Sequence, residues 1–344
     1  MSNIITDTFV RLFKSGRKTR VSSSGWTSGN APCCVHRGQN PDKRGRGGVK
    51  LTEDGGISYN CFNCAYTASY VPGRYLNYKF RKLLEWTGAD SGDIERLVIE
   101  AMRIKELTAL HNTPIVPFVL PDFPVAELPP ESRSIWEMFD FAVLANQDYP
   151  RPLVEVVNYI GARNIDFQNY NFYMSTSKIA KMHQRVIVPF YWGEKIVGYT
   201  ARIMDDYSSP KYNTKSPPNY VFNMNRQKPD GKFVIVSEGP FDAMSVDGVA
   251  VLGNGVSDIQ AEIIDSLDRE VIVVADEDSA GKELIKYALE YGWTVSFPAW
   301  RETAKDINEA VTLYGKLYVL KAILAGKESN PLKIKLRAKG LNFA

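Results

Sequence analysis

Cysteine is scarce in this chain of 344 residues: four in all, at positions 33, 34, 61 and 64. Such economy excludes a disulfide-stapled secreted scaffold, and in a reducing compartment the clustering favours metal binding over bridges. Histidine is rarer, with three residues, of which His111 and His183 lack ligand-like neighbours. No apolar run approaches the ~20 residues of a membrane span. The first thirty residues lack an apolar signal core, so the expected location is the cytoplasm, that of a host cell if the chain is viral. A phosphate-binding G-x-x-x-x-G-K-[ST] loop is absent; Ala280-Gly281-Lys282-Glu283 lacks both the first glycine and the hydroxyl. No motor of that type is therefore expected, and no internal repeat occurs. Acidic residues are thin at one end. Residues 1–50 carry ten Lys/Arg against Asp7 and Asp42, a net of +8, which leaves −5 for the remainder of a chain of net charge +3. A basic head on a mildly acidic body points to nucleic-acid contact at the amino end.

What is present begins with 44% hydrophobic and 24% charged residues, a globular composition, and a length that suggests two or three domains. Two short β-branched runs, 233–236 and 271–275, each end in acids and are each followed by a helical pattern. That alternation predicts parallel strands with crossover helices, whose ligands bind beyond the carboxyl ends of the strands. Glu238 follows the first run; Asp276 and Asp278 follow the second. Three carboxylates at one edge repel one another unless a cation joins them, and hard oxygen donors suit Mg²⁺.

Nearer the amino end, Cys33-Cys34-Val35-His36 and Cys61-Phe62-Asn63-Cys64 bracket two alternating runs around Asp54-Gly55-Gly56. C-x₂-H paired with C-x₂-C across a hairpin predicts a zinc ribbon holding one structural Zn²⁺ through Cys33, His36, Cys61 and Cys64. Either Cys33 or Cys34 could serve; Cys33 preserves the two-residue spacer to His36. Tyr59, Phe62, Tyr66 and Tyr70 interleave with Arg37, Arg44, Arg46 and Lys50, a pattern suited to single-stranded nucleic acid. Tyr59 is also a candidate for the ribbon's small core.

Helical stripes follow over 74–110, and prolines at 114, 117, 121, 124, 129 and 130 predict a stiff tether. The expected organisation is a zinc-ribbon domain with helices over 1–110, a linker over 111–130, and a catalytic domain in two parts, 131–230 and 231–326. A basic tail covers 327–344. One helix is expected from Asp306 through Leu324.

The motifs E-G-P-x-D-A and D-x-D-S-A-G, in that order, resemble the Toprim fold of bacterial-type primases, topoisomerases and some nucleases. With the ribbon, the tether and the strand pair around Trp192-Gly193-Glu194, the chain resembles the DNA primases of T-even-type bacteriophages. The implied architecture is α/β: a small zinc ribbon tethered to a catalytic domain with a Toprim parallel sheet. The resemblance implies RNA primer synthesis on single-stranded DNA from ribonucleoside triphosphates, with catalytic Mg²⁺ at Glu238, Asp276 and Asp278. It adds Asp306 as a further acid, and Arg185, Arg202 and Lys211 as positive counterparts for phosphates or template. It also implies a separate, hexameric replicative helicase as partner, on which copies could gather. A Toprim nuclease, or a ribbon adaptor without catalysis, is the alternative. A topoisomerase needs a tyrosine-bearing gate for which too few residues are left.

Overall fold

The computed structural model describes residues 3–340, apart from 75, 111–119, 178–181, 206, 254 and 277–278. The chain divides into two compact units: residues before Leu120, with Glu290–Gly292, and the rest.

The first unit opens with α1 (Ile4–Lys14), whose Asn3 side chain accepts the Ile5 N–H as an N-cap. Ile5, Phe9 and Phe13 recur every four residues and are fully buried, so they form one helix stripe. Strands β1 (Arg20–Val21), β2 (Thr27–Gly29), β3 (Gly47–Leu51), β4 (Ile57–Cys61) and β5 (Thr67–Tyr70) form one antiparallel sheet in chain order. Its centre is the expected hairpin, with Val49 opposite Tyr59 and Leu51 opposite Ile57. The turn closes where Thr52 N–H reaches Gly56 O at 3.0 Å. Gly56 admits no side chain, because a Cβ would lie 2.5 Å from Tyr70 O. Helices α2 (Tyr78–Thr87) and α3 (Ser91–Leu110) complete the unit. Phe9 packs 5.0 Å from Phe80 and edge-on to Tyr59. Alternation along β4 and β5 therefore turns Tyr59 and Tyr70 inward, and Tyr66 is buried as well. Of the four aromatics expected to stack on bases, only Phe62 is exposed, at 71%; the others are the core of a unit too small to spare them.

Of the tether expected over 111–130, residues 111–119 lie outside the described residues, and the remainder is anchored to the second unit at particular points. Phe123 is buried edge-on against Trp192 at 4.9 Å, and Ala126 N–H donates to Ile196 O at 2.9 Å. Strand β6 (Ser132–Ser134) leads into α4 (Ile135–Leu144), which Ser134 and Glu137 close with a capping box. Then follow α5 (Arg151–Ala162), β7 (Tyr173–Ser175), β8 (Arg185–Trp192), β9 (Lys195–Ile203) and β10 (Tyr212–Lys215). These strands form a second antiparallel sheet, β10-β9-β8-β7-β6, and the long β8–β9 hairpin turns at Gly193 with φ +59°.

The third sheet is the expected parallel one. Strand β11 (Phe233–Ser237) leads to α6 (Pro240–Val246) and β12 (Val249–Ala250); α7 (Asp258–Asp265) leads to β13 (Glu270–Val273); and α8 (Ser279–Tyr291) leads to β14 (Thr294–Ser296). The order is β12-β11-β13-β14-β15, with β15 (Lys327–Glu328) antiparallel. Strand β11 lies between its successor β12 and the later β13, so the chain changes direction of travel across the sheet there. Such a switch point is where α/β sheets open a crevice. The single closing helix expected over 306–324 is two, α9 (Ile307–Tyr314) and α10 (Lys316–Ala325), parted by Gly315 at φ +82°. The tail forms α11 (Pro331–Gly340), anchored by the buried Ile334 and by Arg337 over the Phe297 ring at 4.6 Å.

Asp42 organises the loop that feeds β3. Its buried carboxylate accepts from Ala31 N–H at 2.9 Å, Arg44 N–H at 2.9 Å and Arg46 N–H at 2.7 Å, and from Arg46 Nε at 3.2 Å. Burial opposes its charge, but these donors prevail and hold it below the ordinary value of 3.8. A depressed carboxylate contributes stability above the unfolded value, and that contribution is lost as pH falls through the folded one. Asp42→Ala should cost about 2–4 kcal/mol at neutral pH, since three N–H groups, that of Ala31 buried, lose a charged acceptor. Urea titrations should show the difference from wild type shrinking as pH falls below 4; a pH-independent difference would contradict the electrostatic account.

Candidate functional site

At the switch point of the second unit, Glu238 leaves β11 and Asp276 follows β13. Because β11 and β13 are hydrogen-bonded neighbours, their carboxyl ends lie side by side. Asp276 N–H donates to Glu238 Oε1 at 3.3 Å, which sets the Glu238 carboxylate across the end of β13. Helix α8 then starts almost on top of Asp276: a Cβ on Gly281 would lie 2.0 Å from Asp276 O. The glycine is thus required by close approach rather than by a turn. Asp278 lies outside the described residues. Among the described residues the carboxylates do not close into a three-ligand cluster; the one group that does is made of cysteines.

Behind this edge is a carboxylate that sequence reasoning passed over, although it stands in the E-G-P-x-D-A motif. Asp242, in the first turn of α6, is only 8% exposed and accepts Asn308 N–H at 2.9 Å. Burial pushes its pKa up to about 7, nearby Asp306 adds to the shift, and the Asn308 N–H and Arg163 oppose it. Asp306, the N-cap of α9, accepts Glu309 N–H at 2.7 Å. Asn308 ties three elements together. Its amide donates to Arg163 O at 2.8 Å and to Ser245 Oγ at 2.9 Å, and its oxygen accepts from Arg163 Nη1 at 2.8 Å.

That exchange fixes Arg163, at the end of α5, with its guanidinium 4.9 Å from the Tyr159 ring and 5.0 Å from Phe241. Arg202 Nε donates to the same Tyr159 hydroxyl, and its guanidinium lies 4.8 Å from the Tyr212 ring. Two arginines are therefore held on aromatic faces next to the helix that follows Glu238. Lys211 is exposed, and its carbonyl accepts Ile203 N–H at 2.9 Å. Arg185 departs from the expected role. It is 6% exposed and donates to Ala201 O at 3.1 Å, Lys211 O at 3.2 Å and Pro210 O at 2.8 Å. It shapes the loop that presents Lys211.

The first unit holds a metal-type centre, with one ligand corrected. Cys33, Cys34, Cys61 and Cys64 bring their sulfurs within 4.8 Å of one another. His36 is not among them. It is exposed in the short turn Val35–Arg37 and stacks on Trp86, with centroids 4.9 Å apart and planes at 6°. The physical reason is the backbone at Cys34, which is already helical (φ −57°, ψ −45°) and so turns both adjacent thiols inward. On the other side, Ala65 at φ +57° curls the Cys61–Cys64 turn, with Ala65 N–H on Cys61 O at 2.9 Å.

The donors fit Zn²⁺. A tetrahedron of sulfurs ~2.3 Å from the metal has edges of about 3.8 Å, and Cys33–Cys64 and Cys34–Cys61 stand 3.4 and 3.6 Å apart. Burial pushes the Cys33 thiol well up and the Cys34 thiol up to about 11, whereas the N–H groups of Cys64 and Asn63 outweigh burial and pull Cys61 down. Four crowded thiols of this kind are relieved when a cation displaces their protons. Tyr59 OH lies 3.2 Å from Cys33 Sγ, and Asn63 Nδ2 donates to Cys34 Sγ at 3.3 Å, contacts that orient the ligands.

Residues 235–311 match the Toprim-like family model. The DNA primase of Aquifex aeolicus (strain VF5) is 27% identical over 155 residues, a span of 39% of this chain and 30% of that relative. Among solved structures, the zinc-binding and RNA polymerase domains of the Aquifex aeolicus primase are 17% identical and align over 95% of this chain and 87% of that one, at TM-score 0.43. The primase fragment of the bacteriophage T7 primase-helicase protein is 14% identical over 82% of this chain and 95% of that one, at TM-score 0.38. The chain carries a Toprim-like domain and a stretch similar to DNA primase.

Two outcomes are expected at these sites. Purified protein should contain one zinc, lost in Cys34→Ser and kept in His36→Ala; cobalt substitution should give the charge-transfer bands of four thiolates. Zinc loss in His36→Ala with retention in Cys34→Ser would restore the histidine ligand. At the other site, Gly281→Ala should abolish the activity proposed below and lower the melting temperature, because the obstructing atoms are backbone. Wild-type melting and activity would mean that α8 starts elsewhere.

Proposed function

We propose that the chain is a DNA primase, a nucleotidyltransferase that makes short RNA primers on a single-stranded DNA template. The observation that supports this most directly is the pairing of Glu238 with Asp276 at adjacent strand ends of a Toprim-like sheet, beside Arg163 and Arg202 on their aromatic supports.

Glu238, Asp276 and Asp278 would hold Mg²⁺, with Asp306 a further oxygen donor on the same side. Bound there, Mg²⁺ supplies a lowered pKa for the attacking 3′-hydroxyl and offsets charge on the departing pyrophosphate. The chain's own residues supply position. The Asp276 N–H holds the Glu238 carboxylate across the end of β13, and the close start of α8 fixes the backbone of Asp276. Arg163 cannot swing away while Asn308 holds it, so its charge is in place before a triphosphate arrives, which avoids reorganisation during the reaction. Arg202 and Lys211 would bind phosphates of the nucleotide or template, Arg202 rigidly and Lys211 as a mobile point charge. The amino-terminal unit, with its net positive charge, would contact template through Arg44, Lys50 and the exposed Phe62. No described helix is long and apolar enough to cross a membrane.

Incubation with single-stranded DNA, four ribonucleotides and Mg²⁺ should yield short RNA. Asp276→Asn should reduce that yield by about a hundredfold or more, the loss of one charged ligand at a phosphoryl-transfer centre, with DNA binding and melting temperature nearly unchanged. Shortened DNA in place of RNA would indicate a nuclease. Neither product would indicate an adaptor, and full activity in Asp276→Asn would show that the acids are structural.

A further inference from the structure

A cavity of about 310 Å³ opens in the second unit beside the turn of the β8–β9 hairpin, with Tyr170, Asn171, Tyr191, Glu194, Asn223 and Arg226 among its lining. Its place follows from topology. Arg185 and Ile203 pair at one end of the β8–β9 hairpin, and Trp192 and Lys195 at the other. Tyr191 and Glu194 belong to this second end, about 20 Å from Arg185 at ~3.3 Å per residue. In the parallel sheet, Gly248, which touches Asn223, precedes β12, whereas Glu238 follows β11. The cavity thus opens at the turn end of the β8–β9 hairpin, and its wall reaches the edge strand β12 of the parallel sheet, where Phe222 bridges Ala250.

The chemistry of its wall is built rather than incidental. Asn223 is 3% exposed and sits at φ +68°, a conformation that asparagine tolerates better than most residues. Its amide nitrogen is committed, donating to Gly248 O at 2.8 Å and to Tyr170 OH at 3.4 Å. That fixes the side chain and leaves Oδ1 as an acceptor that no donor meets among the described residues. Tyr170 OH is directed to Asp247 Oδ1 at 3.4 Å. Burial pushes the Tyr170 hydroxyl up to about 12, so it remains protonated. The guanidinium of Arg226 lies 4.6 Å from the Tyr170 ring, a flat cationic surface. Tyr191, half-buried, adds an aromatic face, its hydroxyl accepting from Asn171 Nδ2 at 3.4 Å. Arg226 and Glu194 balance in charge, so the wall does not select an anion.

We propose that this cavity binds a nucleobase with an exocyclic amino group, whose N–H donates to Asn223 Oδ1 while the ring lies against Tyr191 and Arg226. The volume is at the lower end of ligand pockets and suits one planar ring system with its phosphate left outside. An open acceptor at a fixed edge favours adenine, cytosine or guanine. Uracil and thymine present only a ring N–H flanked by two carbonyl oxygens, which repel an acceptor. The proposal deepens the primase reading, since a base held here belongs either to a free nucleotide or to a template strand away from the reacting end.

Calorimetric titration of the full chain without Mg²⁺ separates these sources, with AMP and UMP in one arm and short oligodeoxyadenylate and oligothymidylate in the other. The amino base should bind roughly tenfold tighter than its partner, the worth of one hydrogen bond to a buried acceptor. Asn223→Ala should erase that preference. So should Asn171→Trp, an exposed rim substitution that fills the cavity and leaves the melting temperature unchanged, and it decides the matter if Asn223→Ala fails to fold. A preference in both arms identifies a nucleotide site, and a preference in the strand arm alone identifies a template site. No preference in wild type, or one that survives Asn171→Trp, overturns the proposal. Asp276→Asn should keep the preference. Primer synthesis without a preference therefore retires only the cavity, and a preference without primer synthesis retires only the primase reading.

Discussion

Carboxylates gathered at one edge of a sheet repel, and the second unit depends on how that repulsion is contained. Asp242 is taken out of solvent and given the Asn308 N–H; its pKa rises because burial and Asp306 both act against its charge. Glu238 receives the Asp276 N–H. The counter-charge comes from Arg163, which reaches the site from α5, a helix outside the parallel sheet, and is locked there by Asn308. One asparagine side chain thus joins α5, α6 and α9. Removing that side chain would leave the Arg163 guanidinium, the Arg163 carbonyl and the Ser245 hydroxyl without their shared partner, a costlier loss than any single hydrogen bond.

The first unit solves a different problem, that of size. About a hundred residues with a five-stranded sheet and three helices bury Phe9, Phe13, Tyr59 and Phe80 almost completely. The four sulfurs extend this core rather than decorate it. Tyr59 touches both, its ring against Phe9 and Phe13 and its hydroxyl beside Cys33. Cation binding by the thiols would be felt through Tyr59 in the packing of α1, so metal and fold are coupled in the manner of small zinc modules.

The cysteine-bearing hairpin and the parallel sheet are both legible in the chain, for identifiable reasons. Period-two alternation around Asp54-Gly55-Gly56 dictates the β3–β4 hairpin, and β-branched runs ending in acids dictate β11 and β13. What was misread turns on side-chain direction. The sequence leaves Cys33 and Cys34 as alternatives, with spacing to His36 favouring Cys33; a helical backbone at Cys34 lets both point inward. Tyr66 and Tyr70 interleave with basic residues as a stacking surface would, yet strand alternation and packing place them in one core with Phe9, Phe80, Leu83 and Leu84. The family resemblance groups Arg185 with Arg202 and Lys211 as positive counterparts of the acids, whereas its three carbonyl partners show a loop anchor. Asp242 and Arg163 lie 79 positions apart in the sequence, and no local pattern announces a network joined through Asn308.

The β8–β9 hairpin links these observations. At one end it carries Arg202 on its aromatic support, close to the helix after Glu238. At the other its turn forms one wall of the cavity around Asn223. A two-stranded element with an uninterrupted ladder over most of its length, broken in register only between Phe190 and Tyr191, is stiff along its axis. Its ends therefore keep a fixed separation while the side chains at each end face different surroundings. A polymer running along the hairpin would meet fixed cations at the acidic end and a fixed amide acceptor at the other. Charge reads a phosphate backbone without regard to sequence, whereas an amide edge distinguishes bases. Chemistry and base discrimination can therefore occupy the same rigid frame without sharing residues.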